Sequence, residues 1–98
     1  MTFEEFYSIH YNNVDKVTQE KEILDEYNIE LSDSVIKINE NYIKDSNQYE
    51  VFLCIVDNKY TKCVSNLLNK KFNDKEEPTV YFNELKSIDT IEKLDERL

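Results

Sequence analysis

Tyr49-Glu50-Val51-Phe52-Leu53-Cys54-Ile55-Val56 is the stretch that decides how the chain is read. Alternate residues of a strand face opposite ways, and here both parities are largely apolar. Such a run belongs to a strand covered on two sides, which needs a neighbour along each edge. Upstream, Ser34-Val35-Ile36-Lys37-Ile38 begins a partly alternating run that reaches Tyr42 and Ile43, and Asp45-Ser46-Asn47 supplies the turn between the two. Downstream, Asp57-Asn58-Lys59-Tyr60 turns the chain, and residues 60–65 return as a third strand. The expectation is a three-stranded antiparallel meander.

Helical signals flank it. Thr2-Phe3-Glu4-Glu5 has capping-box spacing, and Phe3, Phe6, Tyr7, His10 and Tyr11 recur at helical intervals, predicting a helix over 2–11. Asn12-Asn13 breaks it and caps a second helix near 14–28. On that helix Val14, Val17, Leu24 and Tyr27 lie opposite Asp15, Glu22 and Glu26. Residues 66–72 read as a short helix; Cys63, Val64, Leu67, Leu68, Lys71 and Phe72 also fit one helix over 59–72. Thr79-Val80-Tyr81-Phe82 after Pro78 reads as an edge strand. Ser87 caps a last helix with an Ile88, Ile91, Leu94 and Leu98 stripe. The fold class is therefore α+β: one domain over 1–98, with two N-terminal helices, an antiparallel sheet of three to four strands and a C-terminal helix.

Composition bounds the function. The 98 residues hold 21 acids and 12 bases, a net charge of −9, which disfavours direct nucleic-acid binding. Leu, Ile, Val and Phe total 29, enough for a folded core. No apolar run approaches the ~18 residues of a membrane span, and Met-Thr-Phe-Glu-Glu has no signal-peptide character, so a cytoplasmic protein is expected. There is no Gly, which rules out Gly-rich phosphate loops and dinucleotide fingerprints and leaves positive-φ turns to Asn and Asp. The absence of Gly and Ala, beside 11 Lys, 11 Asn and 9 Ile, follows A/T-rich codons and points to a low-GC bacterium, its phage or another mobile element.

Few residues carry chemistry. A two-residue loop at Asn58-Lys59 would set Cys54 opposite Cys63 at a non-hydrogen-bonded pair, where a disulfide is conceivable. Two buried thiols in a reducing cytoplasm are the plainer expectation. Two Cys make no ordinary zinc site. Asp45–Glu50 lacks the mid-loop Gly and distal Glu of a calcium loop. His10, the one histidine, has nothing local to pair it with a Cys nucleophile. No catalytic residue, metal or cofactor is expected, and the chain is read as a non-enzyme.

The charge layout is the informative feature. Residues 1–34 carry a net −7 and residues 76–98 a net −4, whereas 35–75 carry +2. Asp15, Glu22, Glu26 and Glu30, with Tyr27 as an anchor, and Asp89, Glu92 and Glu96 near the C-terminus are the candidate partner-binding residues. A solvated face accounts for acids on helices; a decoy of the phosphate backbone accounts also for the single sign. In size, charge and composition the chain is similar to the general class of phage anti-defence inhibitors, including anti-CRISPR proteins and DNA mimics. That resemblance implies an inhibitor that binds the basic groove of a nuclease or other nucleic-acid-binding protein. An immunity protein against a toxin, or a small assembly subunit, is the alternative.

Overall fold

A computed structural model describes residues 1–11 and 20–98. The order is α1 (Phe3–His10), β1 (Lys21–Glu30), β2 (Ser34–Ile43), β3 (Gln48–Asp57), β4 (Cys63–Phe72), α2 (Glu76–Leu85) and α3 (Ile91–Arg97). The four strands form one antiparallel meander in the order β1-β2-β3-β4. The fold is α+β as expected; among the described residues there are one N-terminal and two C-terminal helices, where two and one were expected.

The central strands are β2 and β3, and no residue of either is exposed. Ile36, Ile38, Val51, Leu53, Ile55, Val64 and Phe72 point to one face of the sheet. There they meet Phe3 and Phe6 of α1, Phe82 and Leu85 of α2, and Ile91 and Leu94 of α3. The three helices among the described residues thus cover the same face. Asp33, in the β1–β2 turn, ties the layers together: its Oδ2 accepts from the Phe3 backbone N–H at 2.8 Å, an otherwise orphan donor of the first helical turn.

The Thr2 capping box is present, with Thr2 accepting from Glu5 N–H and Glu5 answering the cap backbone. The second expected helix has its first part, 14–19, outside the described residues; its remainder is not helical, since 21–28 belongs to β1. Without β1 the N–H and C=O groups along one edge of β2 would lack partners, and a ten-residue ladder gives both strands regular hydrogen bonds. Tyr27 and Ile29 then alternate onto the helical face, paired with Ile38 and Ile36.

Residues 66–72 also extend as strand. The chain first bulges, so that Leu53 pairs with Leu68 while Ile55 pairs with Val64. Asn66 holds φ at 56° there, outside the right-handed helical region, which breaks both helical readings of this stretch. The Asn58-Lys59 hairpin becomes a longer connection over 58–62. Tyr60 takes φ 55°, and Asp57 accepts from Thr61 N–H at 2.8 Å and from Thr61 Oγ1. The register therefore sets Cys63 opposite Val56 rather than Cys54.

The edge strand expected at 79–82 is the middle of α2. Pro78 sits in the first turn, where its missing N–H costs nothing, and Asp74 Oδ1 accepts from Glu76 and Glu77 N–H at 3.0 and 2.8 Å. Pro78, Phe82 and Leu85 are buried at helical spacing. Thr90, not Ser87, caps α3, accepting from Lys93 N–H at 3.1 Å.

Candidate functional site

β1 is an edge strand that pairs only with β2 among the described residues, and its positions 22–28 are all exposed. Glu22, Asp25, Glu26 and Glu30 lie along it. At ~3.3 Å per residue, Glu22 and Glu30 stand about 26 Å apart. The register shift between Ile23 and Asp25 changes which way the side chains point. Glu22 is level with Tyr42 on the helical side, whereas Glu26 and Glu30 are level with Asn39 and Val35 on the side turned away from the helices. The acids therefore fringe one edge instead of forming the helical stripe expected of them. Asp15 lies outside the described residues. Asp25 is an acid of this edge that the sequence reading did not single out.

Apolar groups interrupt the fringe. Ile23, Leu24 and Tyr27 are 58%, 44% and 41% exposed, a large outlay of apolar surface on one strand. Lys86 Nζ stands 5.1 Å from the Tyr27 ring centroid, leaving Tyr27 in place as an amphipathic anchor at the rim of the helical layer.

The C-terminal acids are differently placed. Asp89 is paired with Lys93 at 2.8 Å, and that hydrogen bond holds its carboxyl below the usual range. Glu92 takes the Met1 ammonium, with the same consequence. Glu96 lies beside Lys93 and Arg97 around a shallow hollow. Two of these three acids are thus matched within the chain, while no ion pair among the described residues engages Glu22, Asp25, Glu26 or Glu30.

The sheet face turned away from the helices carries a polar row across three strands. Asn41, Glu50 and Lys71 lie in register on β2, β3 and β4, with Ile23 of β1 beside Asn41. Glu50 is 0% exposed. Its Oε1 accepts from Lys21 Nζ at 2.7 Å and from Asn41 Nδ2 at 3.1 Å. Burial alone would raise this carboxyl, but the Lys21 and Asn41 bonds outweigh it and hold Glu50 below its ordinary value. Lys21, Ile23, Asn39, Asn41 and Phe52 line a hollow of about 270 Å³ at the start of β1. Sequence reasoning missed this group. Its one visible signal was a carboxylate set in the apolar 49–56 run.

On the same face lie the two free thiols, Cys54 buried and Cys63 half-buried. His10 is far from them in the fold: it stacks on Phe6 at 4.4 Å and contacts Asp95 at 3.3 Å within the helical layer. A Cys–His nucleophile pair is therefore not assembled. Among the described residues no group of three or more His, Cys, Asp or Glu could hold a metal ion, and no helix is long and apolar enough to cross a membrane. No protein-family model, curated protein or solved structure matches the chain.

Proposed function

We propose that the chain is a small non-enzymatic inhibitor that docks its acidic β1 edge on the basic groove of a nucleic-acid-binding protein, in the manner of anti-defence decoys. The observation that carries this reading is the edge itself. Four carboxylates without ion-pair partners among the described residues fringe ten residues of strand, interleaved with exposed Ile23, Leu24 and Tyr27. Carboxylates answer a groove built to hold phosphates and speed encounter with it. Exposed apolar and aromatic groups between them supply the desolvated contacts that carbon-free phosphate edges lack, and contacts of that kind dominate affinity in protein interfaces. The outer main-chain groups of β1, which no strand among the described residues pairs, add a third element, since an extended segment of a partner can pair along a sheet edge.

The test is capture from a bacterial lysate on the immobilised chain, followed by elution with duplex DNA. Support consists of a captured nucleic-acid-binding protein that DNA displaces, that salt weakens, and that the Glu22→Lys, Glu26→Lys, Glu30→Lys triple variant fails to hold. A partner held equally by the triple variant removes the β1 edge from the account. A captured toxin that DNA does not displace replaces the decoy with an immunity protein.

A further inference from the structure

Cys54 and Cys63 stand on neighbouring strands and face away from the helical layer, since Leu53, Ile55 and Val64 beside them point into it. Cys63 is level with Val56, and no residue of β4 is in register with Cys54, because the β4 bulge passes Ser65, Asn66 and Leu67 there. The nearest thiol to Cys54 is therefore its diagonal neighbour on the same sheet face. Each thiol is the largest influence on the other's protonation, and Cys63 Sγ lies 3.0 Å from Ser65 Oγ. From β2, Lys37 is in register with Cys54 and places its positive charge beside both sulfurs.

These surroundings treat the two sulfurs unequally. Cys54, the Ser65 hydroxyl and Lys37 bring Cys63 down to about 6, whereas Cys63 and burial push Cys54 far up. Cys63 is also the half-buried member, and Cys54 is only 7% exposed. Cys63 is thus the more reachable sulfur and the one held toward its thiolate, with Cys54 behind it. Attack needs a thiolate; the largest influence keeping Cys54 protonated is Cys63 itself, so once Cys63 is bound to another sulfur that restraint is lifted and Cys54 can ionise.

We propose that Cys54 and Cys63 form a thiol–disulfide exchange site for low-molecular-weight disulfides, with Cys63 as the attacking sulfur and Cys54 as the resolving one. The Cys63 thiolate attacks one sulfur of a disulfide RSSR, forming a Cys63–SR bond and expelling RS⁻. That thiolate takes the Cys54 proton. The Cys54 sulfur then attacks Cys63 Sγ, the S–SR bond breaks, and the second RS⁻ leaves and is protonated by solvent. The protein dithiol is oxidised by two electrons to a Cys54–Cys63 disulfide, and RSSR is reduced to two RSH. This site needs no partner protein, so it stands or falls apart from the decoy reading.

The experiment treats the reduced full chain with oxidised glutathione and follows intact mass and peptide maps. The expected course is a transient glutathione adduct on Cys63, then a monomer lighter by two hydrogens whose bridge maps to Cys54 and Cys63. The rate of the first step should rise with pH and level off above about 6. The Cys54→Ser variant should accumulate the Cys63 adduct, and Cys63→Ser should react at least about tenfold more slowly, following the loss of the thiolate. The wild-type course decides the matter even where a variant folds poorly. An adduct that persists on the wild-type chain overturns the resolving role of Cys54. First attack at Cys54, or reaction only after denaturation, overturns the site.

Discussion

Lys21 crosses over β2 to reach Glu50. Its ammonium lies 2.7 Å from the carboxylate although their strands are not neighbours, and Asn41 of the intervening strand donates to the same oxygen at 3.1 Å. The bond links the first residue of the edge strand to the centre of the sheet. With Glu50 fully buried and Lys21 only 17% exposed at its side chain, most of the solvation of both charges has been given up. Such a pair adds little net stability over an apolar substitute, yet removing one member strands the other.

Glu50→Gln should therefore destabilise the chain by roughly 3 kcal/mol, and the double variant Lys21→Met, Glu50→Leu by much less. Urea denaturation of the three proteins checks the ordering. The pH dependence has a definite sign. Glu50 titrates below its ordinary value of 4.5 when folded, so its contribution is complete above that value and fades as pH falls through the lower folded one. The acid limb of the stability curve should consequently be shallower in Glu50→Gln than in the wild type.

α2 offers a direct contrast within three residues. Phe82 is 1% exposed and Val80 is 60% exposed, although in a strand both would face one way. Phe82→Ala should cost about 3–5 kcal/mol, and Val80→Ser should fall within about 0.5 kcal/mol of wild type. Equal costs at the two positions would contradict the helix.

The strands that could be read from sequence were those whose own residues require burial on both sides. Val51, Phe52, Leu53 and Ile55 announce β3, and Ile36 and Ile38 announce β2. Helix α1 was legible because Thr2 and Glu5 satisfy each other locally. β1 and α2 were misread for a shared reason. Leu24 and Tyr27 lie three apart, as helical neighbours do, while Val80-Tyr81-Phe82 has the side chains that favour strands. Partners distant in sequence override both preferences: the open edge of β2 in one case, the apolar sheet face beneath Phe82 and Leu85 in the other. The register near Cys54 was illegible because it depends on a bulge at Asn66, and nothing in a single Asn distinguishes a bulge from a turn. Of the candidate site, the acids were visible one by one; their gathering along an edge depended on finding β1.

The β3–β4 connection makes a prediction independent of partners. Asp57 accepts from Thr61 through both its side-chain hydroxyl and its N–H, and the hydroxyl bond is the largest influence holding the carboxyl below its ordinary value of 3.8. Thr61→Val removes the hydroxyl and keeps the shape. The Asp57 titration, followed by carboxyl NMR shifts, should move up toward the ordinary value, and the acid stability supported by this turn should fade at correspondingly higher pH. An unchanged titration would assign the effect to the backbone bonds alone.

The two acidic regions should separate stability from binding. At β1 the reversals Glu22→Lys, Glu26→Lys and Glu30→Lys act on exposed side chains of an edge strand. Their removal breaks no ion pair among the described residues, and adding charge of the opposite sign lowers the repulsion of a chain at −9. The melting temperature should hold or rise while capture of a basic partner is lost. Near the C-terminus, Asp89→Lys sets two lysines together at Lys93, and Glu92→Lys sets a lysine against the Met1 ammonium. Those reversals replace attraction with like-charge contact across α3 and should lower the melting temperature by a few degrees with capture retained. Thermal melts and salt-graded capture of both variants give the four outcomes. Loss of capture in the α3 variant with retention in the β1 variant would move the binding surface to the other end of the chain, where Glu96 and its neighbours would then carry it.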